Sequence, residues 1–241
     1  MKSLLTAELY KLKQSKPVIG LLVLAFVIPT YVIPFVRRGR AYSTASEETL
    51  RWAAAVFMNV NYIIAGIFIG LVITSEFQNG LIRNVICMGN SRVQIYLSRL
   101  FSASVITVAI FIVYSFSKIV LIGFMEGFAG LDWVVISKYG MVFLPYYLAV
   151  AATFTLFAFV SKKSGITVAL CFIYTMFIFH SPSLLDVRFL PQFFIYTYFV
   201  GTHLDFHRDF TYLLHGAAVS VAHMVIVTVF GGVVFIKSDI K

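Results

Sequence analysis

The sequence is 241 residues long, 60% hydrophobic and 12% charged, with 25 Phe residues and a mean hydropathy of +0.93. Soluble domains contain roughly 45–50% apolar and about 25% charged residues, so this composition excludes a soluble globular protein and predicts an all-α membrane protein. The formal charge is +9. Because the cationic residues are scattered in short polar stretches between apolar runs, they predict membrane-flanking positions and no nucleic-acid partner. The length suits one membrane domain, residues 1–241.

The first 16 residues have the pattern of an amphipathic helix that lies in the membrane interface. Its apolar face is predicted to hold leucines at helical spacing, namely Leu5, Leu9 and Leu12. Lys13 supplies a cation near the lipid headgroups, and Glu8 can pair with Lys11 one turn on. We therefore predict an interfacial helix that leads directly into the first span.

Six apolar stretches follow, and each is interpreted as a membrane-spanning helix of about 20 residues, although the fifth is short. They cover residues 17–36, 53–73, 100–124, 139–160, 165–180 and 213–236. Residues 181–212 contain the apolar run Phe189–Val200, which is too short to cross a bilayer. This length predicts a re-entrant segment between spans five and six, on the external side of the membrane.

Six spans place both termini on one side of the membrane. Eleven of the 19 Lys and Arg residues fall on the side of the N-terminus, and this excess predicts that both termini are cytoplasmic. The cluster of Arg37, Arg38 and Arg40 lies on the opposite side, and the sequence gives no reason for it. In this orientation the polar segment Thr74–Arg99, between spans two and three, is also cytoplasmic.

The segment Thr74–Arg99 is the longest polar interruption between neighbouring spans of the first half of the chain, and we expect it to face a partner in the water. Glu76 and Arg83 are seven residues apart, which places them on one face if the segment is a continuous helix. An ordinary interfacial ion pair and a contact with a partner are both compatible with this pattern.

The sequence contains no Gly-x-x-x-x-Gly-Lys-[Ser/Thr] nucleotide-binding loop and no Gly-x-Ser-x-Gly or His-Glu-x-x-His signature. Glu47, Glu48 and Arg51 are one residue short of the Glu-Glu-x-x-x-Arg motif of CAAX-type intramembrane proteases, and Phe199 to His203 matches their Phe-x-x-x-His. The first group falls in a predicted external loop, so a protease is kept only as an alternative.

A second chemical candidate is the alternating group His203, Asp205, His207 and Asp209, whose side chains are of the types that bind zinc and related metals. Solvated loops often carry such residues, and nothing else in the sequence supports a metal. We therefore expect no catalytic, cofactor or metal site in this chain.

Three motifs, taken in their order along the chain, resemble the pattern of a known family. The helix Ala7-Glu8-Leu9-x-Lys11-x-Lys13 precedes span one, Glu76-x-x-Asn79-Gly80-x-Ile82-Arg83 follows span two, and Ser91-Arg92 with Arg99 opens span three. This layout resembles the ABC-2 type permeases, especially the short six-span subunits of bacitracin-resistance and lantibiotic-immunity transporters. Leu81 departs from the usual pattern, which has Thr after the glycine.

The resemblance implies a permease subunit of an ABC exporter that is not itself an enzyme, because a separate ATPase subunit binds ATP and magnesium. Residues 74–99 would be the cytoplasmic coupling segment, and its ATPase-coupling residues would be Glu76, Asn79, Gly80, Arg83 and Arg92. Residues 1–16 would be the interfacial helix, with Glu8, Lys11 and Lys13, and residues 181–212 the external re-entrant region.

The same resemblance implies a second permease copy or homologue, contact with membrane lipid, and a location in the cell membrane. The exported compounds would be amphipathic or antimicrobial peptides, or other lipophilic molecules. A non-catalytic membrane scaffold is the other alternative, beside the protease.

Overall fold

The computed structural model describes residues 2–39, 46–126, 133–184 and 210–238. These residues form eight α-helices. In chain order they are α1 (Lys2–Gln14), α2 (Lys16–Gly39), α3 (Ser46–Gln78), α4 (Leu81–Cys87), α5 (Arg92–Glu126), α6 (Trp133–Ser161), α7 (Ser164–Leu184) and α8 (Phe210–Lys237). The described part of the chain contains no strand, which confirms the prediction of an all-α protein. Helices suit the bilayer because each satisfies its own backbone hydrogen bonds.

Four helices contain segments that are long and apolar enough to cross a membrane: Asn61–Gln78, Arg92–Leu121, Phe143–Ser161 and Phe210–Lys237. The segments Leu4–Gln14 and Lys16–Thr30 meet at 62° and together pass the same test, which raises the number to five. The bend is compatible with an interfacial α1 that leads into a membrane-crossing α2. The chain is therefore a multi-pass membrane protein, and the count of six spans stays a prediction.

The long helices extend beyond the predicted spans. Because α3 continues to Gln78 and α5 begins at Arg92, only residues 79–91 of the predicted coupling segment lie outside these two helices. Likewise α2 runs to Gly39 and α3 begins at Ser46, inside a stretch that the sequence placed in a loop. Hydropathy marks the part of a helix that meets lipid, whereas the helix itself continues into its polar ends.

Several predicted features lie outside the described residues. Most of the re-entrant region, including His203 and His207, belongs to them, as does Arg40. The side chains of Glu47 and Glu48 are also outside the described part, so the protease and metal alternatives have no structural description.

Helix α6 lies at the centre of the bundle, where it packs against α3, α5, α7 and α8. Small side chains allow this close approach, and four alanines of α6 are fully buried: Ala149, Ala151, Ala152 and Ala158. In a membrane, where lipid is as apolar as the helix, small residues favour helix contact through close van der Waals packing.

Helices α3 and α7 approach each other at the spacing Gly66-x-x-x-Gly70. A Cβ atom at Gly66 would lie 2.7 Å from Cys171 Cβ, and one at Gly70 would lie 3.0 Å from Val168 Cγ2. A side chain at Gly66 would therefore require α7 to move, whereas one at Gly70 would require the Val168 side chain to shift slightly. Small residues at this spacing allow two membrane helices to pack closely.

Candidate functional site

The short helix α4 forms an exposed elbow between α3 and α5. Gly80 has φ of +69°, a left-handed conformation that glycine adopts without steric cost and that reverses the chain after α3. The backbone N–H of Asn79 donates to Ser75 O at 2.9 Å, which closes the last turn of α3. Gly89, at φ of +85°, ends the elbow on the other side.

Helix α5 begins with a reciprocal cap. Gln94 N donates to Ser91 Oγ at 3.3 Å, and Ser91 N donates to Gln94 Oε1 at 3.2 Å. Asn90 Nδ2 donates to Val85 O at 3.1 Å and so ties the turn to α4. These contacts satisfy backbone groups that a helix end leaves open, so the elbow has one defined shape.

Helix α4 has one buried side and one exposed side. Ile82 is 1% exposed and anchors the helix on the bundle, whereas Leu81 and Met88 are 43% and 78% exposed. Arg83 is also exposed, but Glu76 is buried. Glu76 and Arg83 would share one face only in a continuous helix, and this condition is not met, because α3 ends at Gln78 and the chain turns at Gly80.

The buried Glu76 belongs to a charged cluster formed by Glu8, Lys11, Glu76 and Arg99. Arg99 Nη1 pairs with Glu8, Arg99 Nε pairs with Glu76, and Lys11 Nζ pairs with the other oxygen of Glu76. Ser102 Oγ donates to Glu8 Oε2 at 3.1 Å. Two carboxylates thus meet two cations between α1, α3 and α5.

Three of the four side chains in this charged cluster are buried. Glu8, Glu76 and Arg99 are 6%, 1% and 4% exposed, while the side chain of Lys11 stays 41% exposed. Removing charges from water is costly, so such a network is weak evidence for net stability, but losing one partner leaves an uncompensated charge. The arrangement therefore specifies one position of α1 against α3 and α5.

The predicted residues of α1 divide between two surfaces. Glu8 and Lys11 reach the cross-helix partners Arg99 and Glu76, whereas Lys13 is exposed. Of the leucines on the predicted apolar face, Leu12 is buried against the bundle, whereas Leu9 is 44% exposed on the outer surface of the helix, where a membrane interface would cover it. A polar side chain, Glu8, takes part in the buried side because Arg99 compensates its charge.

Arg92 is held within the chain. Its Nη1 donates to the carbonyl oxygens of Phe235, Ile236 and Ser238 at 3.3, 2.9 and 2.7 Å. These carbonyls lie at the C-terminal end of α8, where helical oxygens lack internal partners and attract cations. The residue predicted to contact an ATPase thus connects the start of α5 to the end of α8.

Four rings form an aromatic cluster at the same end of the bundle: Phe77, Tyr96, Phe159 and Phe235. Phe159 is central, with ring centroids 5.2 Å from Phe77, 4.9 Å from Tyr96 and 4.7 Å from Phe235. Lys162 Nζ lies 6.0 Å from the Phe77 ring centroid. The cluster joins α3, α5, α6 and α8, and edge-to-face contacts of this kind add to apolar burial.

Removing the Arg92 side chain tests its contact with α8. We expect Arg92→Ala to destabilise the protein by about 1–3 kcal/mol, because three backbone carbonyl oxygens would lose their hydrogen bonds to a charged donor. Thermal unfolding in detergent micelles measures this loss of stability. Lys163→Ala, which removes an exposed cation, is the matched control. Equal midpoints for the two variants would show that the Arg92 contact contributes no stability.

Glu8 and Glu76 can be singled out from the sequence separately, but the sequence does not show that Arg99 is their common partner. The sequence does contain one signal. Glu8, Glu76 and Arg99 each lie where a helix enters or leaves the apolar region. A charged residue at that depth needs a partner. Which partner it finds depends on how α1, α3 and α5 cross, and periodicity does not contain that information.

The comparisons with known proteins bear on the same region. A family model described as ABC-2 family transporter protein matches residues 4–178, which include most of α1, all of α4 and all four residues of the charged cluster. A search of curated proteins gives no match. Because the family model covers most of the chain and the fold is a multi-pass helical bundle, the protein belongs to the ABC-2 family of transporter proteins and is a membrane permease of an ABC transporter.

Proposed function

We propose that this permease is the membrane subunit of an exporter and that a separate ATPase subunit, which binds ATP and magnesium, moves it through α4. The observation that carries the proposal is the elbow itself. It is a short helix with an exposed face, fixed at both ends to the long helices of the bundle. A force on such an element reaches the bundle without being absorbed by a flexible loop.

Two routes lead from the elbow into the bundle. On the α3 side, Glu76 connects to α1 and α5 through the charged cluster. On the α5 side, Arg92 connects to α8, and the aromatic cluster joins both sides to α6. Displacement of α4 would therefore move the membrane helices together, as rigid-body switching requires.

The predicted coupling residues would have different roles in this mechanism. Arg83, with Leu81 and Met88, is exposed and would contact the ATPase. Asn79 and Gly80 shape the turn. The buried Glu76 and the engaged Arg92 would position the elbow rather than touch the partner.

Topology and assembly also belong to the proposal. Exposed cations at the α4 end of the bundle include Lys13, Arg83, Lys163 and Lys237, which favours a cytoplasmic location for this end and for both termini. Two copies of the chain, or one copy with a homologue, would pair in the cell membrane with two ATPases. The exported compounds would be amphipathic or antimicrobial peptides or other lipophilic molecules, a choice that is based on analogy with the family.

Two substitutions distinguish residues that contact the ATPase from residues that position α4. In nanodiscs that hold the permease with its co-purified Walker-type ATPase, Arg83→Ala should weaken ATPase association about tenfold, as expected for a charged anchor of an interface. Glu76→Gln should leave association unchanged and lower substrate-stimulated ATP hydrolysis, because the charged cluster no longer holds α3.

Lys163→Ala is the matched control, since it removes an exposed cation outside the elbow. It should change neither quantity. Unaltered association and hydrolysis in both Arg83→Ala and Glu76→Gln would contradict the coupling role of α4.

A further inference from the structure

A second polar group lies far inside the bundle, away from the elbow. Asn61 and Tyr62 of α3 meet Tyr146 and Tyr147 of α6, and we call these four residues the asparagine–tyrosine cluster. At 1.5 Å per residue, Asn61 lies about 22 Å along α3 from Glu76. A hydrocarbon core is about 30 Å thick, so the cluster is at membrane depth.

The cluster is closely packed. The Tyr62 ring lies 5.6 Å from the Tyr146 ring and 5.1 Å from the Tyr147 ring, measured between centroids. Phe111 of α5 closes one side at 4.5 Å from Tyr147. All four members of the cluster are at most 4% exposed.

Asn61 is the unusual member of the cluster. It is 1% exposed, and among the described residues neither its Nδ2 nor its Oδ1 makes a hydrogen bond of normal geometry. An interaction with the Tyr147 hydroxyl is present, but it does not satisfy the two donors and the acceptor of the amide. Leaving such a group unpaired in an apolar region costs about 1–3 kcal/mol, so its presence requires a reason.

We infer that the asparagine–tyrosine cluster binds an uncharged hydrogen-bonding group, an amide or a hydroxyl, of the transported amphiphile. Asn61 supplies both a donor and an acceptor, as a peptide amide requires, and the tyrosine rings cover the adjoining apolar part. The inference rests on the proposed permease function and names the chemical class of its substrate. Polar residues within membrane helices commonly mark a substrate path.

The charges of the bundle support an uncharged group. The acidic side chains that the structure describes, Glu8 and Glu76, belong to the charged cluster and are already paired there. An ammonium group would therefore find no described carboxylate near Asn61. Burying an ion without a counterion costs far more than burying an amide that is hydrogen-bonded.

A route for opening the site is built into α6. Pro145 lies inside this helix, directly before Tyr146 and Tyr147. A proline in a helix interior removes one backbone hydrogen bond and favours a bend. Bending at Pro145 would separate the two tyrosines from Asn61 and admit the ligand.

Binding to the permease alone, in detergent micelles without ATPase, tests the inference. The probes are lauroyl-glycinamide, lauroyl-glycine and dodecylamine, whose head groups are neutral, anionic and cationic. Native mass spectrometry over a concentration series counts the bound probe and gives the affinity. We expect saturable binding of lauroyl-glycinamide and about tenfold weaker binding to Asn61→Leu, as the loss of hydrogen bonds to a buried amide predicts.

Thr155→Val is the matched control, because this buried hydroxyl of α6 donates to its own backbone at Ala151 O, 2.7 Å away, and lies outside the cluster. It should bind the probe as the unaltered chain does. If Asn61→Leu does not fold, Tyr147→Phe serves in its place, with about threefold weaker binding expected.

Equal affinity in Asn61→Leu, tighter binding of the anionic or cationic probe, or absence of saturable binding by the unaltered chain would each overturn the inference. Because no ATPase is present, these outcomes do not depend on α4. Conversely, failure of the Arg83 and Glu76 experiment would contradict the coupling role without changing the affinity of the permease for lauroyl-glycinamide.

Discussion

Arg99→Met is expected to lower the free energy of unfolding by about 3–5 kcal/mol, the range for breaking a buried ion pair. Arg99 is the one member of the charged cluster that pairs with both carboxylates. Without it, both buried carboxylates depend on Lys11, whose side chain is 41% exposed. Reversible unfolding in mixed micelles, followed by circular dichroism, measures the loss.

Two further variants show whether uncompensated charge is the cause. Lys13→Met removes an exposed cation of α1 and should change stability little, as is usual for exposed charges. Combining Arg99→Met with Glu8→Gln and Glu76→Gln removes the buried charges together and should recover a large part of the loss. If the triple variant is no more stable than Arg99→Met, the cost comes from lost packing and the electrostatic explanation fails.

The sequence predicts those parts of the fold that depend on local pattern. Apolar run length predicts a multi-pass helical protein, although the described residues contain four or five candidate spans rather than the six predicted. Gly66 and Gly70 lie at a spacing typical of close helix packing, and α3 and α7 approach each other there. The order of polar motifs around Glu76 and Arg83 indicates the family, which the family model confirms. Each of these signals lies within a few turns of one helix.

The parts that the sequence does not predict depend on how distant helices cross. Arg92 bonds to carbonyls more than 140 residues away along the chain, and Arg99 meets Glu8 from α1. Charge and spacing reveal that such residues need partners, but many partners would satisfy them equally. The choice is made by helix packing, which also explains why Glu76 is buried although Arg83, seven residues further along the chain, is exposed.

Helix α8 meets α5 at Gly231, and this contact leads to the second large expected effect. A Cβ atom at Gly231 would lie 2.1 Å from Tyr96 Oη and 2.7 Å from Tyr96 Cζ. Tyr96 is 1% exposed and its ring lies 4.9 Å from the Phe159 ring within the aromatic cluster. The ring therefore has little room to move, and Gly231→Ala would have to displace α8.

We expect Gly231→Ala to destabilise the protein by about 2–3 kcal/mol, within the range for overpacked cores. Gly232→Ala is a closely matched control, because the nearest Tyr96 atom would be 3.9 Å from its Cβ, an ordinary contact. The gain in helix propensity on replacing Gly by Ala is similar in both variants and cancels in the comparison. Unfolding in mixed micelles gives the difference in stability.

A compensating substitution identifies the origin of the effect. Tyr96→Phe removes the hydroxyl that the new methyl group would meet first, so it should restore part of the stability lost in Gly231→Ala. In the Gly232→Ala variant, Tyr96→Phe should change the stability by no more than it does in the unaltered chain. If the Gly231→Ala and Gly232→Ala variants unfold at the same denaturant concentration, α8 does not pack against Tyr96 as described. In that case the aromatic cluster could not carry motion from the α4 elbow to α8.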